Sequence, residues 1–306
     1  MVLETIYIVR HGFRMTWSVD PYTIQYYSGI PTPTKIPTDP ALTSYGESQA
    51  EQLGDHVLTL DPPVDQVFSS PYYRCLQTIK PAVEKLQKKM GYKRGIVVDN
   101  GFEEWFGATG DHRTHPRPAT VEVLKEHFQY LDLHEHPDGP AIVPVHSGET
   151  VEGLHDRVAY ALHKTIERAD HAGWKSIIIC SHAAAIIAIG RALTGEMPED
   201  YTKDDFQCYT AGMSQYNRRN LTISSDENIA PWTRTKPENI PDIKWRGKGV
   251  KGGWDCIKNS QASYLKGGAE RGWKFSDDES FLKDPNGFND GMNEMAAAEK
   301  LKSSLL

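Results

Sequence analysis

Two hydrophobic periods alternate along the first 220 residues of the chain. Residues 4 to 10 (ETIYIVR), 66 to 70 (QVFSS), 95 to 98 and 176 to 181 (SIIICS) are short runs rich in β-branched and aromatic residues, which predicts buried strands. Segments with helical period lie between them. Ser44 and Glu47 have the spacing of a capping box, and Ala50, Leu53 and Val57 then mark one face of a helix. Pro71 stands at the predicted start of a second helix over residues 71 to 89. Val151, Leu154, Val158, Leu162 and Ile166 share a face on a longer helix, and the small-residue helix AAAIIAIGRALTG follows SIIICS at once. Strands alternating with helices predict an α/β sheet covered on both faces.

Two stretches lack either period. Residues 12 to 43, rich in Pro, Tyr and Thr, predict a long loop, and residues 105 to 148 are Pro- and His-rich apart from a short helix near 119 to 131. Loops of that length in a compact domain are usually functional or disordered. After about residue 224 the chain turns Trp-, Gly- and Lys-rich and then Asp-rich. The expected organisation is a domain over residues 1–224 and an extension over 225–306. Trp232, Trp245, Trp254 and Trp273 would pack the extension on the domain, and its tail would be mobile. A partner-binding surface is the alternative role for those tryptophans.

Composition narrows the function classes. The chain has 306 residues, 39% of them hydrophobic, enough for a substantial core. A formal charge of -7 argues against direct nucleic-acid binding, which needs concentrated Lys and Arg. Cys75, Cys180, Cys208 and Cys256 form no CxxC pair, so they read as reduced thiols rather than zinc ligands or a disulfide framework. No basic-then-apolar leader and no apolar run of about 20 residues is visible, so no membrane association and a cytoplasmic or nuclear location are expected.

The candidate chemistry sits at strand ends. Arg10-His11-Gly12-Phe13-Arg14 closes the first strand, and active sites of open α/β sheets lie at the carboxyl ends of strands. A neutral imidazole there can attack phosphorus, and guanidinium groups offer a donor fork that matches phosphate oxygens. Ser181-His182-Ala183 repeats the logic, with a helix N-terminus opening toward any bound anion. Arg74, one turn into the helix after the second strand, is a third candidate clamp. The histidines of 105 to 148 (His112, His115, His127, His134, His136, His146) are irregularly spaced and fit a solvated surface better than a metal site. Phe13, Trp17, Tyr22, Tyr26 and Tyr27 hint at a ring-bearing leaving group, although packing is their simpler role.

RHG near the start, SSPYYRCLQT, the helix-opening GET at 148 to 150 and SHAAAI, in that order and each at an element junction, resemble the histidine phosphatase superfamily over roughly residues 4 to 219. The resemblance implies the phosphoglycerate mutase-like fold, three layers α/β/α around a mostly parallel sheet. It implies His11 as nucleophile, with Arg10, Arg14, Arg74, His182 and Ala183 around the transferring phosphoryl group. It also implies an acidic proton donor in GFEEWFG: Glu104, with Glu103 as the alternative. No metal and no cofactor are implied. The substrate would be a phosphorylated small molecule or protein. The pattern IYI-RHG-R, SP-YRCL-T, G--EW and SHAA most nearly resembles the fungal branch that contains the phosphatase-like tau subunit of transcription factor IIIC. That likeness implies a second role, as an assembly subunit making contacts through the C-terminal extension.

Overall fold

The computed structural model describes residues 2–20, 23, 25–108, 114–132, 140–222 and 229–278. Strand β1 (Thr5–Arg10) is buried along its whole length. The stretch expected as loop contains an antiparallel pair, β2 (Trp17–Val19) and β3 (Tyr26–Ser28). Next come α1 (Ser44–Val57), β4 (Gln66–Ser69), α2 (Tyr73–Met90), β5 (Ile96–Val98) and a 3-10 turn over Asn100–Phe102. They are followed by α3 (Val121–Lys125), β6 (Leu131–Asp132), α4 (Val151–Ala172), β7 (Ser176–Ser181) and α5 (Ala183–Thr194). β8 (Met213–Arg218) and β9 (Trp254–Gln261) complete the strands.

The seven-stranded sheet has the order β6-β5-β4-β7-β1-β8-β9. Its first five strands are parallel, and β8 and β9 join antiparallel at one edge. The period of two along each strand divides the core. Ile6, Ile8, Ile177 and Ile179 pack with Leu154, Val158 and Leu162 of α4 and with α5. Tyr7, Val9, Ile178 and Cys180 pack instead with Leu53 and Val57 of α1 and with Leu76 and Ile79 of α2. The fold is therefore the expected α/β class, a mostly parallel sheet between two helical layers.

Helix starts follow side-chain caps. The α1 cap is Thr43, whose Oγ1 accepts from the Gly46 N–H at 3.1 Å, so the expected cap Ser44 is the first helical residue instead. Gly46 is required by close approach: a Cβ there would lie 2.0 Å from the Phe13 carbonyl oxygen, which packs α1 against the chain after β1. Thr150 caps α4 through Gly153 N–H.

Residues 229–278 enter the same sheet and core. Trp254 begins β9 and is fully buried, its Nε1 donating to the Val250 carbonyl at 3.0 Å. Trp245 is buried and donates to Asp156 Oδ1 at 2.9 Å, while Trp232 and Trp273 pack partly buried on the α4/α5 side. The boundary expected at 224 and the tail beyond 278 lie outside the described residues.

Candidate active site

β1 and β7 are neighbours with Arg10 opposite Ser181, so the residues that follow, His11 and His182, come side by side. Their ring centroids are 5.4 Å apart. Sequence continuity at two strand ends thus becomes proximity, for the reason that parallel strands all end on the same edge.

His11 is 2% exposed, and its Nδ1 lies 2.8 Å from the Gly12 carbonyl oxygen. A carbonyl only accepts, so Nδ1 carries the proton and Nε2 keeps its lone pair. Burial, then the charges of Arg74, Arg10, His182 and Arg14, hold the imidazole well below its ordinary value. The ring is neutral at neutral pH, the state a nucleophile needs. The Gly12 N–H donates to Thr78 Oγ1 at 2.9 Å, and that hydroxyl donates to the Arg74 carbonyl at 2.7 Å, which ties the turn after His11 to α2.

Arg10 Nη1 donates to the carbonyls of Cys208 (2.8 Å) and Arg271 (2.6 Å). Arg14 Nη1 donates to the Met15 carbonyl at 3.0 Å, with the guanidinium 5.5 Å from the Trp17 ring centroid. Arg74 Nη1 donates to the Thr38 carbonyl at 2.9 Å. Its Nη2 lies 3.1 Å from Glu104 Oε2 and 3.2 Å from His182 Nδ1. Asp39 accepts from the Tyr73 N–H at 2.7 Å and stands 3.8 Å from Arg74 Nη1. Burial, opposed by Arg74, pushes its carboxyl up to about 6.

His182 Nδ1 stands between Glu104 Oε2 at 3.3 Å and Arg74 Nη2 at 3.2 Å, and Ser70 Oγ is 2.7 Å from Nε2. Burial lowers the pKa of His182, but Cys75, itself brought down to about 5 against burial by its contacts with Cys180 and His182, and then Glu104 raise it above the ordinary value. Glu104 responds in the opposite sense. Burial raises its carboxyl, and the charges of His182, Arg74 and Arg14 outweigh that and hold it ionised. Across 3.3 Å the two groups therefore favour each other's charged forms.

The two candidate carboxylates are separated by their surroundings. Glu104 lines a small cleft together with Arg10, His11, Arg14, Trp105, Ala183, Ala184 and Trp273. Glu103 does not line it: it is buried against Arg117 (2.6 Å) and hydrogen bonded by Asn100. Ala183 and Ala184 open α5, whose cap residue His182 makes no side-chain hydrogen bond to the first turn. The first amides of that helix thus face the cleft with their partial positive charge.

Among the described residues, one group has metal-ligand spacing: His11, Glu104 and His182, with ligand atoms within 4.8 Å of one another. The arginines on the same cleft make it a better host for an anion than for a cation. Of the loop histidines, His115 is buried in an aromatic cluster, stacked on Phe106 at 4.9 Å and bonded to the Tyr26 hydroxyl and the Gly107 carbonyl. His112, His134 and His136 lie outside the described residues, as does Tyr22.

Sequence reasoning missed Ser70, Thr78, Trp105 and the segment bearing Arg271 and Trp273. Ser70 stands inside SSPYYRCLQT and was legible as part of that motif. The C-terminal residues carried no spacing signal at all.

Residues 6–221 match the family model of the histidine phosphatase superfamily, branch 1. The transcription factor tau 55 kDa subunit of Saccharomyces cerevisiae is 28% identical over 284 residues, 90% of this chain and 59% of its own length. The ecdysteroid-phosphate phosphatase of Drosophila melanogaster is 28% identical over 214 residues, 63% of this chain and 27% of its own. This chain thus spans less than two thirds of the length of either relative. Among solved structures, the ecdysone phosphate phosphatase of Bombix mori with tungstate aligns with a TM-score of 0.53 at 17% identity, covering 75% of this chain and 98% of that one, a likeness of fold. No helix among the described residues is long and apolar enough to cross a membrane.

Proposed function

Because the chain belongs to the histidine phosphatase superfamily, we propose that it is a metal-independent phosphatase that hydrolyses a phosphomonoester through a phosphohistidine on His11. One observation carries the reading: a buried, neutral imidazole with Nδ1 anchored to a carbonyl borders a cleft lined by Arg10, Arg14 and the first amides of α5.

In the first step His11 Nε2 attacks phosphorus in line with the departing oxygen. The N–P bond forms, the P–O bond breaks, and its electron pair leaves on the oxygen, which takes a proton. That proton comes from the Glu104–His182 pair. As the P–O bond breaks, negative charge builds on the departing oxygen, which takes the proton through Glu104, 3.3 Å from His182 Nδ1, and leaves His182 neutral. In the second step the Glu104 carboxylate takes a proton from water, the oxygen attacks phosphorus, and the N–P bond breaks to give inorganic phosphate and neutral His11. The proton on Glu104 then returns to His182. Positioned cations and helix amides supply the charge stabilisation.

The test is hydrolysis of aryl and alkyl phosphates by the full chain in EDTA, beside His11→Ala. Turnover that persists with chelator and vanishes in the variant is expected. Turnover lost on chelation, or none on a broad panel, overturns the proposal.

A second reading, a transcription-assembly subunit acting mainly through protein contacts, is favoured by the extent of one match. The yeast tau relative aligns over 90% of this chain, beyond the 6–221 family match, whereas the Drosophila phosphatase aligns over 63%. A nuclear location would follow. Stable recruitment to a partner subunit without turnover is the result that selects it.

A further inference from the structure

One wall of the cleft comes from the chain that follows β9. That chain returns to the active-site edge and is pinned at several points. Lys266 N–H donates to Gln52 Oε1 at 2.7 Å, and the Tyr45 hydroxyl donates to Glu270 Oε2 at 2.6 Å. Thr210 N–H donates to the Glu270 carbonyl at 3.2 Å. At the far end Phe275 is buried, with ring centroids 5.6 Å from Trp105 and 5.9 Å from His155.

The residues between these anchors touch the catalytic groups. The Arg271 carbonyl accepts from Arg10 Nη1 at 2.6 Å, and the Arg271 guanidinium lies 3.4 Å from the Phe13 ring centroid. Arg271 has a φ of 53°, a left-handed conformation that non-glycine residues seldom adopt. Cys208 Sγ donates to the Trp273 carbonyl at 3.2 Å, and Trp273 lines the cleft with His11 and Glu104.

We propose that this strap, residues 265 to 275, sets which leaving group the site accepts: Trp273 receives the organic part of the substrate, and the Arg271 carbonyl positions Arg10. The proposal deepens the phosphatase reading and rests on it. The reasoning is by elimination along the cleft. Arg10, Arg14 and the α5 amides suit the phosphoryl oxygens, and His11 and Glu104 have their own roles. Of the two aromatic residues that line it, Trp105 is 5% exposed with Nε1 fixed on the Glu149 carbonyl. Trp273 is only partly buried and is the remaining aromatic side chain on the cleft, beside the reacting groups. A flat ring-bearing alcohol gains aromatic contact there, and a compact polar alcohol does not.

The experiment is calorimetric titration of the full chain with phenylphosphonate, whose P–C bond is not hydrolysed, and with inorganic phosphate, for wild type, Trp273→Ala and Trp273→Phe. Wild type should prefer phenylphosphonate. Trp273→Ala should weaken phenylphosphonate about 2- to 10-fold while inorganic phosphate binds as before, and Trp273→Phe should restore most of the loss. A parallel fall for both ligands, or no change for either, overturns the role assigned to Trp273. Failure of the phosphatase reading shows separately, as wild type that binds these ligands but turns over no phosphomonoester. Wild type that binds neither ligand overturns both proposals.

Discussion

Replacing Glu104 with glutamine keeps the side chain's shape and removes one charge from a triangle of close contacts. Its Oε2 stands 3.1 Å from Arg74 Nη2 and 3.3 Å from His182 Nδ1, and those two cations are themselves 3.2 Å apart. Opposite charges about 3.3 Å apart interact by roughly 5 kcal/mol at an effective dielectric near 20. That is as large as the roughly 3–5 kcal/mol that general acid–base catalysis contributes to a step. Glu104→Gln should therefore lower kcat for an alkyl phosphate about 10²- to 10⁴-fold. With p-nitrophenyl phosphate, whose departing oxygen needs little protonation, the loss should be smaller. The alkaline limb of the profile should also move to lower pH, because His182 loses an anion that raises it while Arg74 remains. Glu103→Gln is the contrast. Its carboxylate meets Arg117 and Asn100 outside the cleft, so it should cost about 1–3 kcal/mol of stability with little effect on the chemical step. Steady-state kinetics on both substrates, with thermal unfolding, reads all of this. An unchanged alkyl-phosphate kcat in Glu104→Gln, or an equal loss in a stably folded Glu103→Gln, would refute the reasoning.

The remaining predictions concern titration and packing. In an NMR titration, His11 should become protonated only well below 6.5 and His182 should lose its proton above 6.5, so the catalytic protonation state spans neutral pH; reversed assignments would contradict the roles given to the two rings. Gly46→Ala should destabilise by on the order of 1–3 kcal/mol and slow turnover, since the new methyl meets the Phe13 carbonyl beside the turn after His11. Trp254→Ala should cost about 3–5 kcal/mol in denaturant unfolding, because a fully buried ring is lost from the core shared with α4 and α5. A loss under about 1 kcal/mol would mean that residues after 224 contribute little to that core.

The central strands were legible because burial on both faces writes a continuous apolar run, as in SIIICS, and the helix starts were legible from Pro71 and Thr150. The antiparallel strands were not. β8 (MSQYNR) buries Met213, Ser214 and Tyr216 without a regular period, and β9 (WDCIKNSQ), at the sheet edge, carries mostly polar residues, so neither shows an apolar run in a short window. The β2–β3 pair is three residues a side inside a Pro- and Tyr-rich stretch, too short to show a period. The cleft residues at strand ends were readable because chain order and parallel topology place them together. The separation of Glu104 from Glu103 depends on which way two adjacent side chains leave a turn, and spacing does not encode that. The Arg271–Trp273 wall depends on a long return of the chain, fixed by contacts such as Tyr45 with Glu270.

The central claim is that the phosphoryl group passes through His11. Rapid acid-free quenching of the full chain with a phosphate-labelled aryl ester, followed by peptide mapping, tests it directly. An alkali-stable, acid-labile label on His11 that forms and decays at the rate of turnover is predicted, absent in His11→Ala. Label on His182 or any other residue, or turnover at full rate in His11→Ala, would contradict it.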